Sequence, residues 1–529
     1  MRFSKLKRQL KQSYGRRPDV HYFDGDMNGI RTYFDYRRDN HFDEFLVDET
    51  TWRDLSGDDL FKRMNPGLST SGEQYLYYLL RSPAIDQEEY NQRAQMIEMM
   101  EKNPDLRLKL QVILARLGKR RGANTCEVFR PSSHSLKKIF LYLFLVLALI
   151  GSAVSLAFIP NTWPLFVCLL VLIPLYHQLI AFGLEAELAS LHYSVAMVYA
   201  VKKIKQVFSP ELNQSLFSCY EASRRLKTVS RIGFVQTSAS NEIAGFINSL
   251  LLIDLITYEF LKNRLGKYHQ DVFHIHESLG RLDSAIAIAS YRMSLDAYAI
   301  PQIDFSPSAS VRFEGTGLVH PLMEDAVPND LNTAESILLT GSNASGKSTF
   351  LKTVALNAIM AQSICTTLCS QYSAAAFRIY SSMAITDNLL AGESYYISEI
   401  KSLKRIVDAD ASKQPLLCVI DEVLRGTNTV ERIAASSELL AHLVTKKALC
   451  LAATHDIELC SMLNRHYRLM HFEETVTDEG GILFDYTIKD GPATTRNAIK
   501  LLSSIGFNKE MVNRANAKAN RYIVDRKWV

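Results

Sequence analysis

The sequence has no CxxC pair, and no histidine stands at zinc-finger spacing from its eight cysteines: Cys126, Cys168, Cys219, Cys365, Cys369, Cys418, Cys450 and Cys460. That pattern argues against a thiolate metal site or a disulfide scaffold and for a reduced, cytosolic setting for most of the chain. Cys418 and Cys450 lie inside apolar runs that read as buried strands. Internal repeats, low-complexity tracts and collagen-like stretches are also lacking. No apolar segment directly follows the basic N-terminus, so a secretory leader is not expected. Net charge is only +4 over 529 residues, which gives no strong polyanion signal for the chain as a whole. With 47% hydrophobic and 22% charged residues the composition is that of a folded protein, and the length calls for three or more segments. Charge is uneven, however. The first 17 residues hold seven Lys or Arg and no acid. They read either as a solvated tail or as a segment drawn to anionic lipid or nucleic acid.

Charge is missing in a second place. Ile139 to Ile159 is 21 residues without a charged side chain, long enough as a helix to cross a hydrocarbon core of roughly 30 Å. A helix-breaking turn, PNTWP at 160–164, follows. A second apolar run, Trp163 to Phe182, is interrupted by Pro174, His177 and Gln178. A long buried hairpin is the alternative, but soluble helices carry a polar stripe that these runs lack. The expectation is a transmembrane hairpin with His177 at its interface. Arg116, Lys119, Arg120, Arg121, Arg130, Lys137 and Lys138 precede the first run, and the turn carries no charge. Excess positive charge marks the cytoplasmic side, so both termini are expected there.

The stretch LLTGSNASGKSTFLK at 338–352 poses a different problem. An apolar strand runs into Gly341, Ser342, Asn343, Ala344, Ser345, Gly346, Lys347 and Ser348, which fit G-x-x-x-x-G-K-[ST]. Glycines let the backbone curl so that its N–H groups face phosphate oxygens, and the helix beginning near Lys347 adds its positive end. Lys347 would neutralise the β- and γ-phosphates, and the Ser348 hydroxyl would ligate Mg²⁺. A second strand, PLLCVIDE at 415–422, ends in two acids. Asp421 is placed to hold Mg²⁺, and Glu422 to orient the attacking water as general base. A third, CLAATHD at 450–456, ends at His455, which reads as a γ-phosphate sensor. Between them, Gly392, Glu393 and Ser394 open a helix whose apolar residues Tyr396, Ile400, Leu403 and Ile406 share a face.

Together these stretches resemble the MutS mismatch-repair ATPases, a branch of the ABC-type ATPases. TGSNASGKST is similar to that family's TGPNMGGKST. DNLLAGESYYISEI is similar to its D-x-L-x-x-G-x-S-T-F-x-x-E signature, IDEVLRGTNT to DEIGRGTST, and ATHD to ATH. VHPLMEDAVPNDL (319–331) resembles the segment that approaches the adenine, and KDGPATTRNAIKLLSSIGFNKEMVNRA (489–515) the closing helix-turn-helix. The likeness covers about 310–520 and extends more faintly to 55–93 and 278–303. It implies that Gly341, Asn343, Gly346, Lys347, Ser348 and Thr349 bind the triphosphate of ATP. It further implies that Asp421 organises Mg²⁺, that Glu422 activates water and that His455 senses the γ-phosphate. Ser394 would reach the partner's nucleotide in a homodimer with two composite sites, which ATP closes and hydrolysis reopens.

Departures narrow the expectation. The core-like segment begins near residue 45, which leaves no room for the family's Phe-x-Glu wedge and connector, so mismatch reading by that wedge is not expected. Ala326 and Val327 stand where the family carries an adenine-stacking aromatic. Arg496, Asn497 and Ala498 replace Ser-Tyr-Gly near the end. The expected architecture is multidomain α + α/β. A basic tail (1–44), a helical core-like segment (45–130), the transmembrane hairpin (131–184) and a helical lever or clamp (185–305) precede an ABC-type P-loop ATPase domain (306–529). Basic stretches at Val201–Gln206 and Ser223–Arg231 could meet phosphates or simply face water. Three readings stand. The chain is a membrane-anchored MutS-related ATPase acting on DNA, a membrane-tethered ATP switch acting on a protein partner, or a transporter motor. The transporter reading ranks last, since an LSGGQ-like signature is absent and one hairpin offers few walls for a path.

Overall fold

Among the described residues, helices fill the chain up to Met293 and strands begin after it. The computed structural model describes residues 2–23, 25–40, 44–120, 125–129, 137–207, 209–229, 242–306, 308–342, 345–383, 395–425, 427–476, 482–493, 499, 502 and 506–525. The helices are α1 (Arg2–Ser13), α2 (Asp26–Asn40), α3 (Glu49–Asp54), α4 (Gly57–Met64), α5 (Thr70–Arg81), α6 (Gln87–Lys102), α7 (Pro104–Leu117), α8 (Lys137–Ser155), α9 (Trp163–Ile204), α10 (Pro210–Ser215), α11 (Phe217–Arg225), α12 (Glu242–Leu251), α13 (Ile253–Lys267) and α14 (His269–Met293). The remainder is mixed. Strands β1 (Gln302–Asp304), β2 (Phe313–Leu318), β3 (Asn329–Thr333) and β4 (Ile337–Thr340) lead into α15 (Lys347–Ile364). Then come β5 (Gln371–Ala375), β6 (Arg378–Ser382), α16 (Tyr395–Val407), β7 (Leu416–Asp421), α17 (Thr429–Thr445), β8 (Ala448–Ala453), α18 (Ile457–Leu463), β9 (Arg468–Val476), β10 (Ile482–Asp490) and α19 (Lys509–Asp525).

The chain divides into two units. One takes residues 1–43, 64–78 and 95–294, and the other takes 44–63, 79–94 and 295–529. The helical unit is organised on α14. Val272, Ile275, Leu279, Leu282 and Ile286 recur at helical spacing and are at most 1% exposed. Each such burial contributes roughly 1.5–3 kcal/mol. The first 44 residues, expected as a basic tail, hold two helices. Ile30, Tyr33, Phe34 and Arg37 of α2 face inward, an i, i+3, i+4, i+7 stripe hidden in sequence by the charges between them. Tyr33 packs on Tyr75, Tyr78, Phe273 and His276. A buried polar group completes this core: the Ser69 hydroxyl donates to Asp283 Oδ2 at 2.5 Å.

The same unit carries the apolar hairpin. Lys137–Ser155 and Trp163–Leu184 are helices long and apolar enough to cross a membrane by length and composition, and only 17% and 6% of their apolar windows are buried. Pro174 lies inside α9, which runs on past the apolar part to Ile204.

In the other unit a six-stranded sheet has the order β10-β9-β4-β8-β7-β6. Only the β10–β9 pair is antiparallel; β9 through β6 run parallel. The expected parallel α/β sheet is thus present. A second sheet, β1-β5-β2-β3, was not anticipated, because its strands are short and polar between their inward residues. The segment 44–63 also belongs to this unit. The Asp54 carboxylate of α3 accepts the Ser381 hydroxyl at 2.7 Å and the Met383 N–H at 3.0 Å, both at the end of β6.

Candidate active site

The parallel register sets the site. Leu339 of β4 and Asp421 of β7 both pair with Ala453 of β8, so the three strands end at one level. The residues that follow them, Gly341, Glu422 and His455, therefore leave the same sheet edge. That is the edge at which open α/β sheets bind ligands.

β4 is fully buried, and the turn that follows it depends on glycine. Gly341 has φ +144°, and a Cβ there would lie 2.9 Å from the Phe472 carbonyl oxygen. Gly346 has φ +110°, and a Cβ would lie 3.3 Å from the Tyr486 ring. Helix α15 starts directly after it with no side-chain cap and no acid in its first turn, which leaves its N–H groups and dipole open to an anion. Ser345 is 1% exposed, and its hydroxyl has no hydrogen-bond partner among the described residues. Asn343 and Ala344 lie outside the described residues, as do Ser394 and Arg496–Ala498.

Lys347 closes the loop on itself. Its ammonium donates to the carbonyls of Gly341 (2.9 Å) and Ser342 (2.7 Å). Burial pulls its pKa down to about 8, against the upward pull of Asp421 and Glu474. The Ser342 hydroxyl donates to Glu474 of β9 at 2.7 Å. The Ser348 hydroxyl donates to Asp421 Oδ2 at 2.5 Å, so the two side chains expected at a metal already touch. Two oxygens of this kind fit Mg²⁺, which takes one or two protein oxygens and fills its remaining positions with water and phosphate. Thr349 lines the cavity beside them.

Glu422 is held on both carboxylate oxygens. His455 Nε2 lies 2.9 Å from Oε1, and Arg425 Nε donates to Oε2. Glu422 and Leu424 have φ +54° and +57°, a left-handed conformation that strains non-glycine residues and recurs at functional sites. The Glu422 N–H donates to the Ala453 carbonyl (3.0 Å), which fixes the turn against β8. Behind His455, Asp456 is held by Arg432 through bonds of 2.6 and 2.9 Å. Burial, and then the nearby Lys347 charge, hold the His455 pKa below its ordinary value.

Lys347, Ser348, Asp421, Glu422, Arg425 and His455 line one cavity of about 430 Å³. Ala326 and Val327, the expected replacements for an adenine-stacking aromatic, form part of its wall, and so do His320 and Tyr486. Sequence reasoning missed Tyr486. Its ring stacks on Phe484 (centroids 5.7 Å apart), and its backbone has φ +52° inside an irregularity of the β9–β10 pairing. Asn329 pins that irregularity, donating to the Tyr486 carbonyl (2.9 Å) and accepting from the Ile488 N–H (2.7 Å). The signal in sequence was slight: two aromatics in a strand with no motif around them.

A glycine-bent loop, a buried lysine, a Ser–Asp pair and a Glu–His pair at one sheet edge define an ABC-type P-loop ATPase. Residues 337–522 match the family described as MutS domain V, and this part of the chain is such an ATPase. The chain is 32% identical over 203 residues to the DNA mismatch repair protein MutS of Thermus thermophilus, covering 37% of this chain and 25% of that protein. It is 29% identical over 269 residues to MutS protein homolog 4 of Mus musculus, covering 47% and 27%. It is 28% identical over 297 residues to the MutS of Thermotoga petrophila, covering 51% and 36%. The likeness therefore spans about a quarter to a third of these relatives' length.

Proposed function

We propose that the chain is a membrane-anchored, MutS-related ATPase that works as a homodimer and couples ATP hydrolysis to a change of state on DNA. The observation that carries the catalytic part is the convergence of Lys347, Ser348, Asp421, Glu422 and His455 on one cavity. Lys347 and the α15 N–H groups would bind the triphosphate. Ser348 and Asp421 would hold Mg²⁺, which when bound neutralises charge on the phosphates. Glu422 would accept the proton of the attacking water, with His455 keeping its carboxylate aimed at the γ-phosphate. Arg425 would have to release Glu422 before the carboxylate could do so. Tyr486 would stack on the base in place of the missing aromatic near Ala326. Ser394 would complete the partner's site across the dimer.

Membrane insertion is supported by the two apolar helices and their exposed outer faces, including Phe140, Phe144, Leu147 and Leu179. Both termini and the ATPase would then be cytoplasmic. Action on DNA is supported by the names of the relatives alone. The basic stretches are less free than sequence implied, for Arg225 pairs with Asp271 at 3.0 Å and Arg224 lies 3.9 Å from Glu221. The second reading is an ATP switch that acts on a protein partner. Binding of the detergent-solubilised full chain to duplex and branched DNA, followed across salt concentration, separates the two. Affinity that falls steeply with salt supports DNA, because phosphate contacts release counterions. Absent or salt-independent binding supports the protein partner.

A further inference from the structure

A third apolar segment accompanies the hairpin. From Ile243 to Ile253 the chain has no Asp, Glu, Lys or Arg. Eleven residues are too few to span a bilayer, a length that fits a segment entering and leaving on one side. We propose that α12 and the start of α13 form such a re-entrant element, seated against the hairpin with its outer face on lipid acyl chains. The proposal rests on the membrane reading above.

Packing places the segment at depth. Leu252 and Leu255, both 0% exposed, form one buried cluster with Tyr142 and Leu149 of α8 and Ile173 of α9. Leu250 and Ile256 pack against it. Leu149 lies eleven residues beyond Lys138, about 16 Å along a helix axis, which is half of a hydrocarbon core of roughly 30 Å. The charged groups sit at the lower level. Lys138 is 3.6 Å from Glu259, and Lys262 is 2.7 Å from Glu187. They form a belt of the kind that marks a membrane boundary.

Above that belt, polar groups meet one another. His177 Nε2 lies 3.9 Å from Asp254 Oδ2, and Asn248 Nδ2 donates to the same carboxylate. His177, read from sequence as an interfacial residue, thus faces a carboxylate of the third segment, although its Nε2 makes no hydrogen bond among the described residues. Intramembrane polar groups pair in this way because lipid offers them nothing else. Leu252 has φ +50°, a helix break at a non-glycine residue. The break lets Asn248 reach a residue six positions on, which a straight helix would hold about 9 Å away.

The outer face is apolar: Phe246 is 54%, Ile247 47% and Ile253 36% exposed. It continues the lipid-facing surface of the hairpin, since α12 packs along α9. α13 then runs through Tyr268 into α14, so the element connects directly to the centre of the helical unit.

Nitroxide labels on single cysteines test this in the full chain, in vesicles of phosphatidylcholine and phosphatidylglycerol. Cys168, the one exposed native cysteine among the described residues, is first replaced by Ser. Phe246→Cys reports the new element, Leu147→Cys the hairpin, and Phe217→Cys, outside both, the water phase. The expected result at 246 is that of 147: collisions with oxygen and loss of collisions with a soluble nickel chelate. Nickel collisions at 246 equal to those at 217, with 147 still protected, would overturn the proposal and leave the hairpin standing. Loss of both kinds of collision at 246 would overturn it too, because the face would then be covered by protein. Nickel collisions at 147 would sink the membrane reading itself.

Discussion

His455 and Glu422 face each other at 2.9 Å although they follow different strands, and the distance follows from the register that sets Asp421 beside Ala453. Burial and Lys347 hold the pKa of the ring below its ordinary value, and its Nε2 orients the carboxylate. His455→Ala should retain ATP binding and lower kcat by about 10²–10³, the range for loss of one preorganised polar group at a reacting centre. Steady-state hydrolysis alongside nucleotide-binding titration checks both halves.

Tyr486 is expected to contribute through its ring rather than its hydroxyl. Stacking of a base on an aromatic side chain is worth roughly 1–3 kcal/mol, so Tyr486→Ala should weaken ATP binding by about tenfold. Tyr486→Phe should stay near the parent value. Equal losses in both variants would place the effect on the hydroxyl.

Asp54 ties α3 to the end of β6 through two buried donors. Removing the acceptor leaves both unpaired, at about 1–3 kcal/mol each. Asp54→Ala should therefore lower the unfolding free energy by about 2–4 kcal/mol in a urea titration.

The His320 ring lines the cavity and is 8% exposed. Burial, with Lys352 and Arg63 adding to it, lowers its pKa from 6.5 to about 4. Between those two pH values the unfolded chain binds a proton here that the folded chain does not. Stability therefore falls as pH drops through that window. His320→Asn should flatten this part of the stability profile relative to the parent, measured by denaturant titration at several pH values.

The phosphate loop and the strand-end residues Asp421, Glu422 and His455 were legible in sequence because each lies within a few residues of an apolar strand. A parallel sheet then brings strand ends together. Tyr486 was not legible. Its place depends on Asn329, 157 positions away, pinning an irregular hairpin. The docking of 44–63 on the ATPase unit was equally hidden, since the Asp54–Ser381 contact joins residues 327 positions apart. The apolar hairpin could be read from length and composition. The 243–253 segment could not, because eleven uncharged residues also describe a buried helix, and only its contacts with α8 and α9 single it out.

The central claim is that Glu422 is the base of a nucleotide site built by Lys347, Ser348 and Asp421. Single-turnover hydrolysis of ATP with Mg²⁺ by the full-length Glu422→Gln chain in detergent tests it most directly. The account predicts bound ATP that stays intact, with hydrolysis slowed by about 10²–10⁴, the usual contribution of a positioned base. Hydrolysis at the parent rate, or failure of the parent chain to bind ATP, would contradict it.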